Sequence, residues 1–267
     1  MLTLALLLAC KLPELPDVDL RAQALDEARE RAVHHGDAVH LDGTGVDAFI
    51  GRVNEIGIID AGGGPLTDAL LGTVARRRWM TAFNAQPVIG KGPGTGQSRG
   101  ATWIGAEEVD PPEPGSEQLW TLDVSSGSPP RISVYRGDPR PGAPGRAFAL
   151  GGLEALAIAG DPEVSPSLAR AVSARGASDR TTGRTYLGLD RDDGVLAIVV
   201  VEQGAAGPRL TELPDALRAS GFEDVLALDG DARSALADGH GAAHLEAEGL
   251  HDPRVPARYG IGVRWAR

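Results

Sequence analysis

The sequence has one cysteine in 267 residues, 4% aromatic residues, and no Lys/Arg cluster longer than Arg76-Arg77-Arg78. A single cysteine excludes an intrachain disulfide and a Cys-based zinc site. So few rings leave few platforms for stacking on a sugar; Trp79, Trp103, Trp120 and Tyr186 are the available ones. With 37 Asp+Glu against 26 Lys+Arg and a formal net charge of -11, the surface repels phosphate backbones, and no nucleic-acid partner is expected. After residue 10 nothing approaches the roughly eighteen consecutive apolar residues that a membrane-spanning helix requires. What is present is a 42% hydrophobic fraction on a chain long enough for a substantial core, which excludes global disorder.

The cysteine stands where an apolar run ends. Met1 to Ala9 is uncharged, and Leu7-Leu8-Ala9-Cys10 resembles the lipobox of bacterial lipoproteins. The resemblance implies a signal peptide over residues 1–9 and a lipidated Cys10 as the new N-terminus. It also implies a membrane partner through that anchor, at the periplasmic or outer face of a bacterial envelope; more than one acyl chain would make the anchor stable. The run departs from the pattern in being short and lacking a preceding Lys or Arg. The alternative is a buried first strand that ends in a chance cysteine. Residues 10–19, with two prolines and alternating acids, read as a tether.

From residue 20 to 267 one domain is the simplest account, since no internal repeat or second composition regime occurs. The spacing of Leu20, Ala24, Leu25, Ala28 and Val33 predicts a helix over 20–35. A strand over 56–60, a helix over 66–77 and a strand over 79–84 follow. The Gly-, Pro- and Ser-rich stretch 90–145 reads as long loops carrying edge strands near 101–104, 119–123 and 132–135. Later come strands 184–190 and 195–202 around the turn Arg191-Asp-Asp-Gly194, a helix over 211–220 stopped by Gly221, and a buried strand 224–229. This succession predicts an α+β fold, a mixed twisted β-sheet with helices packed on it.

Two glycine-rich stretches do not qualify as nucleotide sites. Gly62-Gly-Gly64 lies between a strand and a helix, but Pro65 removes a donor and the third glycine of a dinucleotide fingerprint is missing, so a tight turn is the better reading. Gly90-Lys-Gly-Pro-Gly-Thr-Gly96 lacks Ser or Thr after its lysine and has no helix behind it. His240, His244 and His251 match no zinc spacing and read as part of a solvated hairpin. Neither a cofactor nor a metal is implied.

One constellation is more informative. Thr182-Gly-Arg184-Thr-Tyr-Leu-Gly188 is followed by the apolar strand Val195 to Glu202, a helix, and Val225-Leu-Ala-Leu-Asp229-Gly230-Asp-Ala-Arg-Ser234. This order is similar to the phosphodiester glycosidase domain, the family of N-acetylglucosamine-1-phosphodiester alpha-N-acetylglucosaminidase. Upstream, Met80-Thr-Ala-Phe-Asn84 resembles the family's Ile-Asn-Gly strand end, and Leu150-Gly151-Gly152 its Gly-Gly-Pro segment. The resemblance implies a sugar phosphodiester or envelope glycan as partner, with Asp229, Glu202 and Arg184 as catalytic residues and Asn84, Gly230 and Ser234 as substrate-binding ones. Elementary chemistry agrees with those types. Arginine donates two parallel hydrogen bonds to a phosphate, a carboxylate beyond a buried strand suits acid/base work, and strand ends are where open sheets place ligands. Each has a structural alternative: Arg184 pairing with Asp190, Asp229 capping a turn, Asn84 satisfying a bend.

Three positions depart from the family. Its Gly-Gly-Gly-Ser-Ser/Thr is here Gly230-Asp231-Ala232-Arg233-Ser234-Ala235, its Asp-Gly after the preceding strand is Glu202-Gln203, and Asn84 is followed by Ala. Two readings therefore stand: a lipid-anchored hydrolase of sugar-1-phosphodiesters, or a non-catalytic lipoprotein that binds a glycan or envelope polymer or is purely structural.

Overall fold

A computed structural model describes residues 19–36, 38–43, 46–62, 66–85, 88–89, 97–112, 114–161, 184–201, 212–230, 236–238, 243–244 and 258–266. Among them are three α-helices: α1 (Asp19–His35), α2 (Leu66–Ala75) and α3 (Glu212–Ala219). The first strands are β1 (Val39–Gly43), β2 (Val46–Asp60), β3 (Thr81–Asn84), β4 (Val88–Ile89) and β5 (Gln97–Ser98). The middle of the chain supplies β6 (Thr102–Ile104), β7 (Glu107–Asp110), β8 (Trp120–Ser125), β9 (Ile132–Arg136) and β10 (Arg146–Ala157). The last third supplies β11 (Arg184–Asp190), β12 (Val195–Val201), β13 (Asp224–Gly230), β14 (Leu236–Asp238), β15 (Ala243–His244) and β16 (Tyr259–Trp265).

The backbone of the fold is one large sheet in the order β15-β14-β3-β16-β2-β12-β11-β13-β10-β6-β7, with β1 on β2 and the β8-β9 pair on β10. The α+β class with packed helices holds, and every strand pairing among the described residues is antiparallel. α1 begins at Asp19, one residue before the helix expected over 20–35.

The central strands are apolar without interruption because both of their faces are covered. Along Val195-Leu-Ala-Ile-Val-Val-Val201, side chains alternate between faces. Val195, Ala197, Val199 and Val201 join the layer of Leu25, Ala28, Leu213 and Leu217 from α1 and α3. Leu196, Ile198 and Val200 join the inner cluster with Leu187, Phe148, Leu226 and Val263. Two long strands hold the halves together. β2 pairs with β12 through residues 46–52 and with β16 through 53–60, so a single strand crosses from one half to the other. β10 pairs with β6 and β8 early and with β13 from Glu154 onward.

Within the stretch 90–145, the described residues 97–112 and 114–145 carry β5 to β9, with β6, β8 and β9 at the edge strands expected near 101–104, 119–123 and 132–135. Its strands are sheet members, and Arg146 on β10 clamps Asp123 on β8 with two hydrogen bonds of 3.1 and 2.6 Å. That charge-assisted pair is long-range and leaves no local trace in the sequence.

Candidate functional site

The site is assembled where several strand ends meet. Arg184 opens β11, and the register sets it opposite Val201, the last residue of β12, and Gly230, the last residue of β13. Between Arg184 and Tyr186, β13 carries one residue more than β11, so Leu228 and Asp229 together stand opposite Thr185. This is a β-bulge, a device that bends a strand end and re-aims its side chains.

Thr185 is the tie to the other half. Its hydroxyl donates to the side-chain oxygen of Asn84 at 2.5 Å, and both residues are completely buried. Asn84 ends β3 and pairs with Gly260 on β16. A bond across 101 residues of sequence thus fixes the end of β3 against the start of β11. In a dry environment each partner would be costly to leave alone, about 1–3 kcal/mol for a buried polar group.

A second arm reaches the same region from β10. Glu154 pairs with Ala227, two residues before Asp229 on β13, and accepts a hydrogen bond from Arg99 Nη1 at 2.8 Å. Arg99 and Glu154 are about a quarter exposed, so this ion pair faces partly dry surroundings. Beside it, Gly100 lies against Gly151 and Gly152 so closely that a Cβ on Gly100 would sit 2.2 Å from the carbonyl carbon of Gly151. The Gly-Gly segment singled out in the sequence is therefore a backbone-to-backbone crossing, possible only without side chains.

Tyr259 contributes the remaining polar group. It follows Arg258 at the start of β16, its carbonyl accepts from Ala85 N–H at 3.1 Å, and its ring is capped by the Arg258 guanidinium at 4.8 Å. Arg258 in turn bonds Asp110 at the end of β7 at 3.0 Å, which links the far edge of the sheet back to β16. The Tyr259 hydroxyl is buried beside the charge of Asp110. Burial, and secondarily the charge of Asp110, raises its pKa above the ordinary 10.0. Because the unfolded chain ionises first, this residue makes stability fall as pH climbs above about 10. Tyr259→Phe is expected to preserve neutral-pH stability and to flatten that alkaline decline. Unfolding midpoints measured on both proteins across pH 8–11 check it, and parallel declines would refute the assignment.

Of the residues expected from sequence, the structure brings Arg184, Asp229, Gly230 and Asn84 to one set of strand ends, the first three by strand register. Glu202, Ser234 and Cys10 lie outside the described residues, as do His240 and His251; Glu202 directly follows Val201, the partner of Arg184. The alternative pairing of Arg184 with Asp190 finds a competitor, because Arg29 holds Asp190 at 2.6 Å while Asp190 caps the turn after β11. Trp79, Trp103 and Tyr186 are buried, so of the four expected stacking platforms only Trp120 is partly open. The sequence reading missed Thr185, Arg99, Glu154 and Tyr259. Thr185 alone had a signal, its place beside Arg184 in the motif. Among the described residues no three His, Cys, Asp or Glu side chains are grouped to hold a metal ion, and no helix is long and apolar enough to cross a membrane.

No family profile and no curated protein matches the sequence. Solved structures do match in fold. The catalytic domain of zebrafish N-acetylglucosamine-1-phosphodiester alpha-N-acetylglucosaminidase, auto-inhibited by its pro-peptide, is similar with a TM-score of 0.60 at 17% identity, over 85% of this chain and 82% of that one. A protein designated as exported in Burkholderia pseudomallei is similar with a TM-score of 0.60 at 12% identity, over 82% and 73% of the two chains. A hypothetical protein from Synechocystis is similar with a TM-score of 0.51 at 14% identity, over 86% of this chain and 61% of that one. At such identities the likeness establishes the fold.

Proposed function

We propose that this chain is an envelope hydrolase that cleaves the glycosidic bond of sugar-1-phosphodiesters. The observation that carries the reading is the meeting of Arg184, the Asp229-Gly230 strand end and the Asn84–Thr185 pair at one edge of the sheet. The fold shared with the zebrafish phosphodiester glycosidase supports it.

In this reading Arg184 holds the phosphate by a forked pair of charge-assisted hydrogen bonds. Water attacks the anomeric carbon, the bond from that carbon to the phosphate oxygen breaks, and the leaving oxygen takes the proton. The products are a free sugar and a phosphomonoester. Asp229 or Glu202 moves the protons. Ser234 binds the sugar, Gly230 lets the backbone approach it, and buried Asn84 holds the end of β3 against the start of β11 through Thr185. The second reading, a non-catalytic binder of an envelope glycan, is favoured by one observation: Asp231 and Ala232 stand where the family resemblance places glycines. Asp231 would set a negative charge against an anionic substrate.

One experiment separates the two. Release of sugar from an N-acetylglucosamine-1-phosphodiester by the purified protein is expected, with Arg184→Ala lowering kcat/KM about ten- to a hundredfold. Asp231→Gly, which removes the misplaced charge, is expected to raise it. Absence of turnover and binding in wild type and in Asp231→Gly with Ala232→Gly would leave the non-catalytic reading.

The cellular address belongs to the same proposal. An exported fold neighbour and the Leu7-Leu8-Ala9-Cys10 pattern support attachment to a bacterial envelope through lipid on Cys10. Metabolic labelling with a fatty-acid probe is expected to mark the wild type and to miss Cys10→Ala; an unlabelled wild type would overturn the anchor.

A further inference from the structure

At the other end of β3 and β16 from Asn84 and Gly260, a surface cavity of about 710 Å³ opens beside the C-terminus of α2. Its wall includes Val74, Trp79 and Trp265, with Met80 at the lip. Met80 is 43% exposed, the one large hydrophobic residue among those described to be so open. Trp79 lies over the paired glycines Gly57 and Gly262, where a Cβ would come within 2.8 and 2.2 Å of the indole. The apolar wall is thus fixed by close packing.

The rim of this cavity is cationic in a chain whose net charge is -11. Arg77 lines it, flanked by Arg76 and Arg78. How α2 ends explains the placement. Arg78 N–H bonds Thr73 O at 3.0 Å and Arg77 N–H bonds Val74 O at 2.8 Å, the double closure of a Schellman motif. Its left-handed position, ordinarily a glycine, is Arg77 with φ 56, the one positive φ at a non-glycine residue among those described. The chain therefore adopts a strained conformation with an arginine where one of its many glycines would relieve it. Arg264 secures the turn, donating to Arg78 O at 2.7 Å and Arg77 O at 2.9 Å. Glu55 stands 3.9 Å from Arg78 and 3.7 Å from Arg264. Among the described residues the Arg77 guanidinium has neither a hydrogen bond nor an ion pair.

We propose that this cavity is a second ligand site, for an amphiphilic organic anion whose phosphate or carboxylate pairs with Arg77 and whose apolar chain runs over exposed Met80 and the narrow edges that Val74, Trp79 and Trp265 show at the wall. An unpaired guanidinium held at the rim of an apolar hollow complements such a molecule in both halves. The site is independent of the strand-end reading.

Titration of the full chain with decyl phosphate, below its micellar concentration, tests the proposal. Saturable binding is expected, at least tenfold tighter than that of inorganic phosphate or of uncharged decyl maltoside. Arg77→Gly relieves the left-handed strain, so it is expected to fold with an unchanged or higher Tm while weakening decyl phosphate at least tenfold. Met80→Asp is expected to weaken it similarly. No binding, equal affinity for either control compound, or unchanged affinity in Arg77→Gly would overturn the proposal. Sedimentation with phosphatidylglycerol vesicles without binding of monomeric decyl phosphate would also overturn it, assigning the face to a membrane surface.

Discussion

Gly152→Ala is expected to lower the stability of the fold by about 4 kcal/mol, from two costs that add. Gly152 has φ +75, a conformation that costs an L-residue about 1–2 kcal/mol. Its added Cβ would also lie 2.4 Å from Gly100 N and 2.8 Å from the Arg99 carbonyl carbon. Overpacking costs about 1–3 kcal/mol where flexible side chains can yield, and here the obstacle is backbone. Gly105→Ala is the matched control, with φ +60 and no atom within 4 Å of the new methyl, so it carries the conformational cost alone. Thermal unfolding should place Gly152→Ala roughly 8–16 °C below wild type, at about 2–4 °C per kcal/mol for a chain of this size. Equal losses for the two variants would show that the crossing of Gly100 over Gly151-Gly152 yields easily.

Asp229→Asn is expected to reduce turnover of a sugar-1-phosphodiester about a hundred- to ten-thousandfold, the range that one acid/base group supplies. Asp229 follows Val225-Leu-Ala-Leu228, all buried, and occupies the bulge opposite Thr185. Asparagine preserves the shape and removes the ionisable carboxyl, so binding measured by calorimetry should stay within a few fold while kcat falls and one limb of its pH profile disappears. Glu202→Gln is the partner experiment. A loss in Glu202→Gln alone would transfer the proton-handling role to Glu202, and undiminished kcat in both would refute the catalytic reading.

Much of the last third was legible in advance. Strands 184–190 and 224–229, the latter observed to run one residue further to Gly230, and the turn at Gly194 with φ +65, follow from apolar runs bounded by turn residues. Strand 195–201 reads the same way, because a strand covered on both faces is hydrophobic at every position. The glycine-rich stretch before it reads as long loops carrying edge strands near 101–104, 119–123 and 132–135, where β6, β8 and β9 lie, whereas β7 gives no such signal. Its strands β6 to β9 are short, and the partner that orders them is β10, whose Arg146 and Phe148 give no local sign of whom they meet. The first half of β2 and all of β16 were missed for a similar reason. Gly51, Gly260 and Gly262 weaken any strand pattern, yet each is required by a neighbour: Trp265, Leu70 and Trp79.

The sequence by itself determined the local elements between 184 and 229, the acidic balance, the α+β class, and the residue types near the strand ends, because these depend on composition and on periods of two and 3.6 residues. Only the tertiary structure decided that Thr185 meets Asn84, that Arg99 meets Glu154, that Arg258 meets Asp110, and that Tyr259 is buried. Those contacts span 101, 55 and 148 positions. They depend on which strand pairs with which, and a strand's alternation fixes the face it buries without naming the strand beside it.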